Sequence, residues 1–113
     1  MSTHTRIRKF NTKETYPNQS LANDLCQAVR AGHTVYVRGQ ICTDFAGNLV
    51  GLGDPAAQAD QAMKNVKQLL EDAGSDLSHI VQTHTAILDP RYRQPGYQGV
   101  GKWSNGAFPM SSG

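Results

Sequence analysis

Hydrophobic residues recur at steps of three and four along residues 55–73 of the chain. The apolar positions are Ala59, Ala62, Met63, Val66, Leu69, Leu70 and Ala73, and the polar positions between them include Asp60, Lys64, Lys67, Gln68 and Glu71. Asp54 suits the N-cap, Pro55 suits the first helical position, and Gly74 can adopt the left-handed conformation that ends a helix. The pattern therefore predicts an amphipathic helix of about 19 residues, roughly 28 Å long, that covers a small sheet.

Stretches rich in β-branched residues predict the strands of that sheet. Two such stretches lie at residues 33–41 and 79–88, and a shorter one lies at residues 6–10. Residues 25–30 lead into the strand at 33–41 through Gly32, which predicts a hairpin.

The last quarter of the chain predicts a second, poorer helix and then an edge strand at residues 108–113. The helix is marked by Tyr92, Val100 and Trp103. The order of elements indicates an α+β fold, in which a mixed β-sheet carries two helices on one face. Because the other face would stay uncovered, we expect it to meet another subunit.

Length and charge narrow the class of protein. At 113 residues the chain predicts one domain, spanning residues 1–113. A formal charge of +2, with basic residues concentrated only between Arg6 and Lys13, argues against nucleic acid as the partner. The chain has no apolar run long enough for a bilayer and no signal-like start, so we expect a cytoplasmic protein without a membrane partner.

The residues that commonly bind metals or nucleotides lack the required spacing. Cys26 and Cys42 stand far apart and predict small thiols that are buried or half-buried. The four histidines form no ligand motif, and His84 on a strand favours a hydrogen-bonded sheet residue over a general base. The glycines of residues 44–53 are too scattered for a phosphate-binding loop. We expect neither a metal nor a cofactor.

The ordered combination of several short segments resembles the Rid family, the reactive-intermediate deaminases also called L-PSP endoribonucleases. The segments are Val29–Gly32, Val35–Gln40, Ala57–Val66, Leu69–Gly74, Ile80–Val81 and Phe108–Pro109. The resemblance implies a homotrimer of chorismate-mutase-like subunits with small clefts between them. It also implies hydrolysis of enamines and imines, such as 2-aminoacrylate, to a 2-keto acid and ammonia.

The chain departs from the residues that the resemblance implies for this reaction. Ser111 stands where deaminating members carry a carboxylate-binding arginine, and Leu25 stands in place of a cleft tyrosine. Gln94 lies near the place of a pocket asparagine, in an uncertain register. Arg38 either supplies the lost cation or points to solvent, in which case the backbone of residues 111–113 still offers an anion-binding patch. The substrate-binding residues that we predict are Leu25, Arg38, Gly39, Gln94, Ser111, Ser112 and Gly113, and no catalytic residue is identified.

These observations predict a Rid-family trimer that binds a small carboxylate or enamine-like metabolite, with deaminase activity weak, altered or absent. Two alternatives stay open, namely an RNA-acting protein of the endoribonuclease type and a regulatory trimer without catalysis. The resemblance also implies a final strand carrying a Glu. The single Rid-like domain would lack this strand, and we expect either further residues past Gly113 in the natural gene product or a neighbouring element in that place.

Overall fold

The computed structural model describes residues 4–113, which form an α+β domain of five strands and three helices. The strands are β1 His4–Asn11, β2 Asp24–Ala31, β3 Thr34–Val37, β4 Gln82–His84 and β5 Met110–Ser112. The helices are α1 Thr12–Thr15, α2 Pro55–Asp72 and α3 Arg93–Ser104, and single 3-10 turns lie at Leu77–His79 and Pro90–Tyr92. No helix within residues 4–113 is both long enough and apolar enough to cross a membrane.

Helix α2 confirms the prediction made from its end signals. The Asp54 carboxylate accepts hydrogen bonds from the backbone N–H groups of Ala56 and Ala57, both at 3.1 Å, and Pro55 is the first helical residue. At the other end Ala73 is the C-cap, and Gly74 follows in the left-handed conformation at φ +82°. These local signals set the positions at which the helix begins and ends.

One face of α2 packs on an antiparallel sheet in the order β1–β2–β3. Ile7, Ala28 and Val37 lie side by side across its three strands and point toward the helix. Ile7 and Ala28 are buried with Leu69 and Ala73 of the helix, and Val35 and Val37 pack against this cluster. The other side of the sheet, which we call the open face, carries Phe10, Leu25, Val29 and Tyr36, because side chains alternate along each strand.

The remaining strands, β4 and β5, form a separate parallel pair. The described residues thus form two sheets, and the prediction of one mixed sheet is wrong at this point. The predicted strand at residues 79–88 is also too long, because only Gln82–His84 is paired and its partner β5 has three residues. Asp76 caps a 3-10 turn ahead of it by accepting a hydrogen bond from the Ser78 N–H, which removes Leu77–His79 from the extended conformation.

The other strand boundaries shift for local reasons. The first strand is longer than predicted, because β1 pairs with β2 from His4 to Asn11, with Arg8 left out of the register. The predicted strand at 33–41 shrinks to Thr34–Val37, since His33 belongs to the hairpin turn and the strand pairing fades after Arg38. The predicted edge strand at 108–113 begins at Met110, because Phe108 adopts φ +52°, which an extended strand excludes.

Helix α3 packs closely beside α2, and Gly99 makes this approach possible. A methyl group placed on Gly99 would lie 2.6 Å from Cβ of Ala59, closer than two carbon atoms can approach. The Trp103 indole N–H donates a 2.8 Å hydrogen bond to Asp60, which fixes the far end of α3 on α2. Gly99 therefore serves the packing of the two helices.

We predict that Gly99→Ala destabilises the protein by about 1–3 kcal/mol, because the added methyl group has no room against Ala59. Gly101→Ala is the matched control, since the same methyl group at that helical position meets no atom within 4 Å. The control should gain up to about 1 kcal/mol from helix propensity. Urea unfolding of both variants measures the difference, and equal stabilities would show that the helices do not approach as closely as described.

Candidate functional site

The seven predicted site residues fall into two groups. The first lies on or beside the open face at the ends of β2 and β3, and the second surrounds β5 and the start of α3. The first group is Leu25, Arg38 and Gly39, and the second is Gln94, Ser111, Ser112 and Gly113. No hydrogen bond or ion pair within residues 4–113 joins the side chains of the two groups. One copy of the chain thus presents two half-sites.

Arg38 occupies the open face. Its backbone N–H donates to the Gln27 carbonyl at 2.9 Å, which extends the β2–β3 pairing by one residue and places the side chain on the same face as Tyr36. The guanidinium carbon lies 5.2 Å from the centroid of the Phe10 ring, and Phe10 pairs with Leu25 across the strands. The side chain is exposed, so within one copy of the chain it meets solvent rather than β5. Gly39 has no neighbouring atom that a side chain would strike.

The β5 group is held by the parallel pairing with β4. Thr85 donates its backbone N–H to the Ser112 carbonyl at 2.8 Å, and the Ser112 hydroxyl lies 3.1 Å from Nδ1 of His84. His84 is therefore the hydrogen-bonded sheet residue that the sequence favours. Ser111 pairs with Thr83, so its side chain faces the side of the sheet opposite to Ser112. Both serine hydroxyls are exposed.

A concave surface region of about 450 Å³ adjoins this group. Its lining residues are Pro90, Arg91, Arg93, Gln94, Tyr97 and Gln98. Tyr97 connects the region to β5, because a methyl group placed on Gly113 would lie 2.7 Å from the Tyr97 hydroxyl. Tyr97, which lines the same region as Gln94, thus reaches the end of β5, and the sequence analysis missed this residue. The available signal was spacing, since Gln94 and Tyr97 are three residues apart and share one face of a helix.

The two arginines of this region differ in their partners. Arg91 donates its backbone N–H and two side-chain N–H groups to the Asp89 carboxylate, with the shortest contact at 2.8 Å. The Arg91 side chain and then its backbone N–H lower the pKa of Asp89, and the side-chain hydrogen bonds to Asp89 raise the pKa of Arg91. Arg93 forms no ion pair within residues 4–113, and its guanidinium carbon lies 5.9 Å from the centroid of the Tyr97 ring. Arg93 is thus a cation with no carboxylate within ion-pair distance in the part of the chain that the structure describes.

A smaller concavity of about 170 Å³ lies where α2 ends. Arg30 of β2 reaches across it and donates to the Ala73 carbonyl at 2.9 Å, which satisfies one of the unpaired carbonyls of the helix end. His33 and His79 stand at its rim. The described residues contain no cluster of three or more His, Cys, Asp or Glu that would hold a metal ion, and Cys26 and Cys42 are half-buried free thiols, as predicted. The side chain of Arg30 in this concavity therefore stabilises the end of α2.

Comparisons with known proteins indicate what the chain is similar to. The family model described as endoribonuclease L-PSP matches residues 17–100. Human 2-iminobutanoate/2-iminopropanoate deaminase is 36% identical over 63 residues, which are 56% of this chain and 46% of the human protein. The chain thus spans about half the length of the curated relatives that it matches.

Solved structures share the fold. RidA from an Antarctic Psychrobacter bacterium superposes with a TM-score of 0.69 at 27% identity, over 77% of this chain and 70% of that one. A member of the YjgF/YER057c/UK114 family from Mycobacterium tuberculosis gives a TM-score of 0.73 over 96% of this chain and 80% of that one. At 21% identity the second likeness concerns the fold alone.

We predict that the Asp89 carboxyl titrates below the ordinary aspartate pKa of 3.8, and that Arg91→Gln raises its pKa. A lowered folded pKa means that the pairing stabilises the protein above the unfolded pKa and that this stabilisation is lost as pH falls through the folded pKa. At neutral pH the Arg91 side chain is therefore paired with the ionised Asp89 carboxylate. Carbon-detected NMR titration of the side-chain carboxyl measures the effect, with Arg93→Gln as control. An Asp89 pKa that responds to Arg93→Gln and not to Arg91→Gln would contradict the assignment.

Proposed function

Because the chain belongs to the Rid (endoribonuclease L-PSP) family, we propose that it binds a small carboxylate or an enamine or imine metabolite in a cleft between subunits. The observation that carries this proposal is the concave region lined by Gln94, Tyr97 and Arg93, in which the Tyr97 hydroxyl lies beside Gly113 and Arg93 forms no ion pair within residues 4–113. A concave region with a few convergent polar groups is the usual form of a small-molecule site. The arginine suits the negative charge of a carboxylate.

The reaction class comes from the relatives whose printed name is 2-iminobutanoate/2-iminopropanoate deaminase. In imine hydrolysis, water adds to the C=N carbon, a proton moves to nitrogen, and ammonia leaves as the C=O bond of the 2-keto acid forms. We propose that this activity is weak or altered here, because Ser111 offers one hydroxyl where a bidentate arginine would hold the substrate carboxylate. A charge-assisted contact of that kind is worth about 1.5–3 kcal/mol, or roughly 10- to 100-fold in affinity.

The open face supports the proposal that the subunits assemble as a chorismate-mutase-like homotrimer. Tyr36 is 62% exposed and Leu25 is 42% exposed there, next to the half-buried Phe10 and Val29. An apolar patch on one side of a sheet is typical of a surface that another subunit covers. Assembly through this face would place Leu25 and Arg38 against a neighbouring copy, where they would complete the half-site at its β5. A cytoplasmic location and a single Rid-like domain are parts of the same proposal.

We predict that the protein accelerates loss of 2-aminoacrylate, generated from serine by threonine dehydratase, roughly 10- to 100-fold less than an arginine-bearing relative does. Ser111→Arg should raise the rate, because it restores a guanidinium at this position. Ser112→Arg is the matched control and should leave the rate low, since its side chain lies on the opposite side of the sheet. A wild-type rate equal to that of the relative would contradict the proposal of altered chemistry, and no acceleration by any variant would favour the regulatory alternative.

We predict that Tyr36→Glu dissociates the trimer into monomers, because it buries a charge in the proposed subunit contact. Leu52→Glu is the control, since Leu52 is 85% exposed in the loop before α2 and lies off the open face. Sedimentation velocity at micromolar concentration distinguishes the species. A wild-type monomer, or equal dissociation by both variants, would show that the open face is not the contact.

A further inference from the structure

Beyond the proposed function, on which this step rests, we propose that Arg93 is the residue that holds the substrate carboxylate in this chain. The carboxylate then lies in the concave region between Arg93, Gln94 and Tyr97, next to the end of β5. The ligand class is a short 2-keto or 2-imino acid. The positive charge that binds the carboxylate is therefore carried by the first residue of α3, and not by a residue of β5 or of the open face.

Tyr97 places Arg93 close to the end of β5. The Tyr97 hydroxyl lies beside Gly113, and the Tyr97 ring centroid lies 5.9 Å from the Arg93 guanidinium carbon. An arginine placed over a ring keeps the N–H groups at its edge available, and these donate two parallel bonds to a carboxylate. Gln94 lines the same region from the next helical position and can donate to a carbonyl oxygen or accept from an imine N–H.

Charge distinguishes Arg93 from the other arginines nearby. Arg91 stands at the same rim, but Asp89 accepts three of its N–H groups, so its charge is already offset. Arg30 donates to the carbonyls of Ala73 and Gly32 at the end of α2. A substrate anion that enters the region therefore meets one arginine whose charge is uncompensated, and that arginine is Arg93.

Arg38 is the other arginine that the sequence suggested as the cation for the substrate carboxylate. Arg38 lies over Phe10 on the open face, and no hydrogen bond or ion pair within residues 4–113 connects it to β5. It can reach a carboxylate at β5 only across a subunit contact. Arg93 needs no second subunit, because Tyr97 links it to Gly113 within one chain.

The test compares the affinity of 2-oxobutanoate for the wild type and for Arg93→Gln, Arg93→Lys, Arg91→Gln and Arg38→Gln by isothermal titration calorimetry. Arg93→Gln should weaken binding roughly 10- to 100-fold, and Arg93→Lys should recover part of the loss, since lysine keeps the charge without the planar pair of donors. Arg91→Gln should stay within about threefold of the wild type, well inside one decade of affinity.

A second ligand tests the contact itself. 2-Oxobutanamide has the same shape without the carboxylate, so it should bind the wild type weakly and lose no further affinity in Arg93→Gln. Circular dichroism melting should show Arg93→Gln folded like the wild type, because Arg93 forms no ion pair or side-chain hydrogen bond within residues 4–113.

The outcomes separate this inference from the proposed function. Wild-type binding that survives Arg93→Gln overturns the role of Arg93 and leaves the proposed function standing, and a loss confined to Arg38→Gln assigns the role to that rival. Equal losses for the amide and the acid also overturn it, because the carboxylate is then not what Arg93 recognises. Absence of saturable 2-oxobutanoate binding by the wild type overturns both the proposed function and the inference.

Discussion

The packing of α2 on the first sheet is the interaction on which the rest of the structure depends. Leu69 is fully buried there, and its neighbours in the cluster are Ile7, Ala28 and Ala73. Removing a leucine of this kind from water contributes about 1.5–3 kcal/mol. Helix α3 packs on α2, through Gly99 against Ala59 and the Trp103–Asp60 hydrogen bond. Because α3 carries Arg93, Gln94 and Tyr97, the position of the candidate site is set by the core of α2.

Arg8 and Arg30 tie the end of α2 to that sheet, and Arg30 of β2 does so by donating to the Ala73 carbonyl at 2.9 Å. Arg8 of β1 donates to Asp72 at 2.8 Å, and its guanidinium lies 4.2 Å from the centroid of the Phe45 ring in the loop before α2. Arg8 adopts φ +54°, a conformation that costs a non-glycine residue about 1 kcal/mol or more. Partly exposed ion pairs are worth about 0–1 kcal/mol, so these contacts orient the helix end while burial around Leu69 supplies most of the stability.

The sequence predicts well those features that local chemistry determines. Both ends of α2 follow from Asp54, Pro55 and Gly74, and the hairpin turn follows from Gly32, because a cap or a turn depends only on its own neighbours. Strand length depends on a partner elsewhere in the chain, which composition does not reveal, and for this reason β4 is much shorter than its β-branched segment predicts.

The same distinction separates the parts of the candidate site. Gln94 lines the same concave region as Tyr97, whose hydroxyl lies beside Gly113, whereas the position of Arg38 relative to the β5 of another copy would depend on subunit assembly, about which strand alternation says nothing. Tyr97 and Arg93 escaped prediction because they lie on a glycine-rich helix with a weak apolar pattern. Tyr97 lies beside Gly113 only because the chain folds back on itself, and the sequence pattern does not reveal this contact.

The central claim is that a small carboxylate binds beside β5 with its charge on Arg93. A crystal structure of the protein with 2-oxobutanoate tests this claim most directly. We expect the carboxylate within hydrogen-bonding distance of the Arg93 guanidinium and the ligand against Tyr97 and the end of β5. A ligand seated on the open face with its carboxylate on Arg38, and no contact with Arg93, would contradict the account.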